Sequence, residues 1–237
     1  MIAIVTDEYI PTLSADDVER IRRWHEDAYQ SGRADADRTF ELFGRVVVVP
    51  PHVQPINPMT DLLGGAVLAE ARADDRVLDM GTGSGIHAIL AASRGATVVA
   101  VDVNPHAVEA ARRNAEANGV ADRVEVRPSD VFSNVDGRFD LIVFDPPFRW
   151  FAPRDLYEVA TADENYRGLT AFFRRARDHL TARGRLLVFF GTSGDLGYLI
   201  RLADRERFRR EIVASRDLVR DGWRVEYLTF RMIPEAV

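Results

Sequence analysis

The sequence predicts an α/β domain: a mostly parallel β-sheet covered by helices on both faces. Three observations lead there. Apolar, β-branched runs alternate with helix-length segments from about residue 59 to the C-terminus, the pattern of strands joined by helical crossovers. The chain has 237 residues, 46% hydrophobic and 29% charged, enough to bury one large core. No internal repeat, low-complexity tract or second core interrupts it.

In order, SADDVERIRRWHEDAYQS (14–31) opens with Ser14 as a cap and spaces Val18, Ile21, Trp24 and Tyr29 for one helix face. FGRVVVVP (43–50) is expected to be a buried strand, and PPHVQPINP a proline-rich loop. A helix near 59–73 then leads to strand 76–80, helix 84–94, strand 97–102, helix 105–118 and strands 123–127 and 140–144. Helix 165–181, strand 185–190, a helix near 195–204 and strands near 208–214 and 223–231 complete the chain. The expected division is an N-terminal extension over 1–58, a possible cap on the site, and a principal domain over 59–237.

Composition removes several chemistries. There is no cysteine, hence no disulfide, thiolate nucleophile or cysteine-ligated zinc. All 31 basic residues are arginine, which excludes lysine bases and Schiff bases. The five histidines, His25, His52, His87, His106 and His179, show no paired ligand spacing, so no metal is expected. MIAIVTDEYIP lacks a basic leader segment, and no stretch approaches the roughly 18 apolar residues of a membrane span. A soluble, cytoplasmic protein without a membrane partner is expected. The net charge of −6 argues against broad nucleic-acid binding.

Ligands of such sheets bind beyond the carboxyl ends of the strands. The first strand of the alternation ends in DMGTGSG, with Asp79, Gly81, Thr82, Gly83 and Gly85. Glycines let the backbone turn sharply and approach a ligand, although a tight strand-helix turn needs them too. Ile86 stands where a dinucleotide fingerprint has its third glycine, which weakens an NAD reading. The next strand ends in Asp102, placed to accept both hydroxyls of a ribose or to serve as an acid near a helix start. Past the third strand, Asp130 can accept from a purine amine while the Val131 backbone reads the ring; SD is equally an ordinary turn pair. The fourth strand runs into VFDPPFRW.

Taken together these segments resemble the class I S-adenosylmethionine-dependent methyltransferases, in the branch holding the glutamine-amide methyltransferases of protein release factors. DMGTGSG resembles the family's glycine loop, VDVNPHAVEAARRNAEANG its ribose-acid strand and helix, SDVF its adenine site, and DPPF its active-site motif, usually Asn-Pro-Pro-Tyr. NPMTDLL (57–63) and residues 163–191 extend the resemblance, which runs from about 43 to about 191. It implies a Rossmann-like, doubly wound, seven-stranded and mostly parallel sheet with an antiparallel last strand. It also implies S-adenosyl-L-methionine as cofactor, bound by Thr60, Asp79, Gly81, Thr82, Gly83, Gly85, Asp102, Val103, Asp130, Val131 and Asp145, and catalysis at Asp145, Pro146, Pro147 and Phe148.

The DPPF turn then has a chemical use. Pro146 and Pro147 have no N–H, so the turn offers acceptors only. The Asp145 carboxylate and the Pro146 carbonyl can accept the two N–H bonds of a substrate NH₂ and aim its lone pair at the methyl. Phe148 can stack on a planar substrate or belong to the core. Trp150, Phe151, Tyr157 and Tyr166 form either a substrate lid or core. Asp in place of Asn and Phe in place of Tyr depart from the glutamine-amide pattern, and Asp occurs in enzymes that methylate nucleobase amines. That branch also carries a separate helical domain, whereas one helix and one strand are expected before residue 50 here, so a release factor is not the first choice. The expected acceptor is a protein side-chain amide or small nitrogen-containing metabolite, with a nucleic-acid base as the alternative. A protein that binds the cofactor without turnover is a third class, disfavoured by the intact motif. The sequence leaves the oligomeric state open.

Overall fold

A computed structural model describes residues 9–220 and 222–235. The reading of the opening residues 1–8 as leaderless lies outside them. Helix α1 (Ala15–Gly32) is followed by a hairpin of β1 (Arg38–Leu42) and β2 (Arg45–Val49), which pair antiparallel as their own two-stranded sheet. The hairpin corrects the expectation of one buried strand over 43–50. Phe43 and Gly44, both with positive φ (51° and 71°), form a two-residue turn at its tip, the backbone that fits the twist of paired strands. Val47 and Val49 face inward while Val46 and Val48 are exposed, the alternation of a half-buried strand.

The main body contains α2 (Thr60–Glu70), β3 (Arg76–Met80), α3 (Ile86–Ser93), β4 (Thr97–Asp102), α4 (Pro105–Ala117), β5 (Val124–Pro128) and β6 (Phe139–Phe144). It continues with α5 (Arg167–Ala176), β7 (Leu180–Gly191), α6 (Leu196–Arg205), β8 (Phe208–Arg220) and β9 (Trp223–Pro234). The seven strands lie in the order β5-β4-β3-β6-β7-β9-β8. β3 pairs parallel with β4 and β6, whereas β9, the last strand, pairs antiparallel with β7 and β8. The expected doubly wound, mostly parallel sheet with an antiparallel last strand is the fold observed.

The sequence dictates the layering. Every residue of β6, FDLIVF, is buried, as a central strand covered on both faces requires. Removing Leu141, Ile142 and Val143 from water contributes about 1.5–3 kcal/mol each. Helices α2, α3 and α4 pack in succession along the sheet, and α5 and α6 pack on each other. Helix α1 begins as expected, with the Ser14 hydroxyl accepting from the Asp17 N–H at 3.2 Å. The helix expected over 165–181 divides: a 3₁₀ turn (Glu164–Tyr166), α5, a second 3₁₀ turn (Arg177–His179), and then β7, which starts at Leu180. Among the described residues no helix is long and apolar enough to cross a membrane.

Candidate active site

The strand order reverses at β3, whose neighbours β4 and β6 lead toward opposite edges. A crevice at the carboxyl ends of the strands is the ligand position such a reversal creates. The sheet order β5-β4-β3-β6 lines up Asp130, Asp102, the glycine loop and Asp145 in one row.

At the end of β3, Asp79 is buried; it accepts from the Thr82 hydroxyl at 2.5 Å and the Ala88 N–H at 3.1 Å, fixing the loop to the start of α3. Gly81, Gly83 and Gly85 all have positive φ. Gly85 is also a close approach: a Cβ there would lie 3.0 Å from Ala111 Cα on α4. Ser84 belongs to the loop, since α3 begins at Ile86, and its carbonyl accepts from the Asn114 side chain at 2.8 Å. Asn114 also bonds both the N–H and the carbonyl of Val48, tying the hairpin to the glycine loop.

Asp102 ends β4 and holds the loop from the other side, one oxygen accepting from the Gly83 N–H at 2.9 Å and the other from the Asn104 N–H at 2.8 Å. Burial raises its pKa against these backbone donors. Val103 beside it is exposed. Asn104 caps α4 through the His106 N–H and donates to the His52 carbonyl, which brings the rings of His52 and His106 within 4.7 Å. Beyond β5, Asp130 is exposed and Val131 takes a left-handed conformation, φ 47°. Thr60 is buried at the start of α2, its hydroxyl accepting from the Asn57 N–H at 3.2 Å. Among the described residues, no group of three or more His, Asp or Glu side chains is placed to hold a metal ion.

Asp145 follows β6. Burial, and then the charge of Asp79, raises its carboxyl to about 7; burial raises Asp79 to about 6. Neither acid has an ion-pair partner among the described residues. Two acids at neighbouring strand ends without a counter-charge make a slot suited to a cation. The turn after Asp145 is anchored through its carbonyl groups and its sequel. The Tyr166 hydroxyl donates to the Phe148 carbonyl at 2.5 Å and accepts from the Asp195 N–H at 2.8 Å. The Arg149 N–H donates to the Thr161 carbonyl, and the Arg149 carbonyl accepts from the Asp163 N–H. Gly194 must be glycine where it stands, because a Cβ would meet the Phe148 carbonyl oxygen at 2.2 Å. Pro146 is buried and Pro147 half-buried. Phe148 is packed against Phe189, Phe190 and Tyr227 at 4.7–6.2 Å, with 6% of its surface exposed.

Trp150, Tyr157 and Tyr166 are buried, and Phe151 is half-buried beneath Arg22 of α1. Helix α1 packs on this stretch through His25, 2.7 Å from Glu158, and Tyr29, which donates to Asp155. Ahead of α1, the Tyr9 ring meets Trp150 at 5.5 Å and its hydroxyl donates to Asp195. Sequence reasoning assigned nothing to Tyr9, Asn114, Arg149 or Asp195. The partners of Tyr9 and Asn114, and the Tyr9 and Thr12 contacts of Asp195, lie tens of residues away in sequence, while Asp195 also caps α6 through the Tyr198 N–H.

The two raised acids make stability depend on pH. Both are more easily protonated in the folded chain than at the ordinary carboxylate value of 3.8. Their contribution to stability is therefore complete below about pH 4 and is lost as pH rises through about 6 and 7. Urea denaturation of the ligand-free protein should show this decline, reduced in Asp145→Asn; an equal decline in that variant would remove Asp145 as its source.

The fold and this row of strand-end groups define the methyltransferase type of α/β domain, and comparison with known proteins agrees. Residues 56–199 match the methyltransferase small domain, and the chain belongs to that family. It is 36% identical over 175 residues to the release factor glutamine methyltransferase of Cereibacter sphaeroides, covering 68% of this chain and 62% of that protein. It is 51% identical over 76 residues to the ribosomal RNA small subunit methyltransferase C of Chromohalobacter salexigens, covering 32% and 22%. The matches thus span less than two thirds of these relatives' own length. The structure of the T. thermophilus 16S rRNA N2 G1207 methyltransferase, in complex with AdoMet and guanosine, superposes with a TM-score of 0.58 at 23% identity, over 84% of this chain and 50% of the other; this likeness is one of fold.

Proposed function

We propose that the protein is an S-adenosyl-L-methionine-dependent N-methyltransferase whose acceptor is a nitrogen of a protein side-chain amide or a small metabolite. The observation that carries this reading is the pair Asp79 and Asp145 at the strand reversal, raised acids with no ion-pair partner among the described residues, beside a glycine loop whose Gly81, Gly83 and Gly85 all hold positive φ. S-adenosyl-L-methionine is cationic at its ammonium and sulfonium groups, and when bound it supplies an electrophilic methyl. Gly81, Thr82, Gly83 and Gly85 form its cradle, Asp102 and Val103 border the ribose, Asp130 and Val131 the adenine, and Thr60 the entrance beside the loop. Asp145 and the Pro146 carbonyl accept the two N–H bonds of the acceptor and hold its lone pair in line with the methyl. Pro147 keeps donors out of the turn, and Phe148 presents its remaining open edge to the acceptor. Residues 1–58 serve as a cap, consistent with the packing of Tyr9 on Trp150 and of His25 on Glu158. The absence of cysteine fits a cytoplasmic location.

Calorimetry is expected to show binding of S-adenosylmethionine and S-adenosylhomocysteine and no comparable binding of NADH. Labelled S-adenosylmethionine with fractionated lysate should then mark the size class of the acceptor; cofactor binding with no transferred label from any fraction would leave a binding protein rather than an enzyme. A nucleic-acid base amine is the second reading, favoured by Asp145 in place of Asn. The net charge of −6 stands against it, and salt-dependent RNA or DNA binding would promote it.

A further inference from the structure

Arg149, the residue after DPPF, is 8% exposed, and its Nε is fully buried with no acceptor. Among the described residues its side chain forms no hydrogen bond or ion pair. A buried guanidinium without an anion is costly, and arginines in such places are paired. The carboxylates of the surrounding segments are committed elsewhere. Glu158 is taken by Arg154 and His25, Asp155 by Tyr29 and Arg33, Asp163 by the N–H groups of Gly168 and Leu169, and Asp195 by Tyr9, Thr12 and the Tyr198 N–H. His25 is held below its ordinary pKa by burial, with the Arg149 charge adding to this, and an imidazole carries no negative charge in either form.

The side chain lies beside the DPPF turn. A parallel bridge to Ala162 holds the Arg149 backbone. The guanidinium carbon lies 5.7 Å from the centre of the Phe148 ring, and Tyr227 and Tyr166 are the groups that act on its charge. Both tyrosines also border the motif, one by its ring and the other by its hydroxyl.

Resting on the methyltransferase reading, we propose that Arg149 binds a carboxylate of the methyl acceptor, so that the substrate is an amino-acid-like molecule or peptide presenting its nitrogen to Asp145 and its carboxylate to Arg149. A single guanidinium in an aromatic surround matches one negative charge and the planar fork of a carboxylate; a phosphate dianion would require further donors. The expectation that the acceptor is a metabolite or protein group is thereby narrowed to one carrying an acid.

The test uses S-adenosylhomocysteine-loaded protein labelled with ¹⁵N at arginine, titrated with sodium acetate or inorganic phosphate at constant ionic strength. One Nε–Hε resonance, absent from Arg149→Met, should move saturably with acetate and less with phosphate, and the response should be weaker in Arg149→Lys. Arg149→Met should match or exceed the parent in thermal stability, because it removes a buried unpaired charge. The proposal is overturned by a resonance that acetate leaves in place, by phosphate binding more tightly than acetate, or by a fall in thermal stability showing that internal contacts hold the arginine. It is also overturned if Arg149→Met weakens S-adenosylhomocysteine binding tenfold, which would give the guanidinium to the cofactor's own carboxylate. The two readings fail separately: homocysteine-cofactor binding with no acetate response sinks only the acid site, whereas an acetate response without cofactor binding sinks the methyltransferase reading.

Discussion

Asp145→Ala is expected to lower methyl transfer by a factor on the order of 10² or more, with a smaller change in cofactor affinity. The carboxylate stands at the head of DPPF, outside the glycine loop, where it faces the acceptor and also forms one side of the cation slot with Asp79, so its removal acts first on the acceptor and also, more weakly, on the cofactor. Its raised pKa, about 7, reflects burial and then the Asp79 charge. A cation placed between the two acids would favour their ionised forms, giving Asp145 the charge needed to orient an amine and to stabilise positive charge on nitrogen. Asp145→Asn keeps the shape and one acceptor oxygen but not the charge. With an amide acceptor, as in the glutamine-amide branch, that variant should retain substantial activity; with an amine it should lose more. Both variants need a true acceptor and circular dichroism to check the fold. Folded variants that bind cofactor and transfer methyl at the parent rate would reduce VFDPPF to a strand ending.

How much of this was legible in the sequence follows from where each determinant lies. The central strands were readable because burial on both faces forces continuous apolar runs such as LIVF before Asp145. Strand β1 escaped because RTFEL is short, half-exposed along its length and charged at two of its five positions. The valine run of β2 drew the strand assignment forward across the Phe43–Gly44 turn. Helix α5 was read too long because arginines and apolar residues keep a helical spacing through RRARDHL, whereas the chain has entered β7 by Leu180. Asp79, the glycines, Asp102 and Asp145 could be found because each stands at the end of a strand. Arg149 is one arginine among many in the sequence, and only the commitment of neighbouring carboxylates to other partners sets it apart. The bridge from Phe148 through Tyr166 to Asp195 likewise joins segments that sequence spacing cannot bring together.

Asp102→Ala should weaken cofactor binding by about 1.5–3 kcal/mol, the loss of charge-assisted hydrogen bonds to a ribose. Asp102 already accepts from the Gly83 and Asn104 N–H groups, so its removal loosens the glycine loop as well as the ribose contact. Total affinity cannot separate these effects, but a cycle of protein and ligand changes can. Calorimetry would compare S-adenosylhomocysteine with a form lacking a ribose hydroxyl, in the parent and in Asp102→Ala. If Asp102 receives the ribose, deoxygenation costs affinity in the parent and little in the variant, because the partner is already gone. If Asp102 only braces the loop, deoxygenation costs the same in both, and the residue leaves the ligand contacts while remaining part of the cradle. Asp102→Asn should fall between the parent and Asp102→Ala, since an amide oxygen can still receive the Asn104 N–H but lacks the charge that strengthens a ribose hydrogen bond.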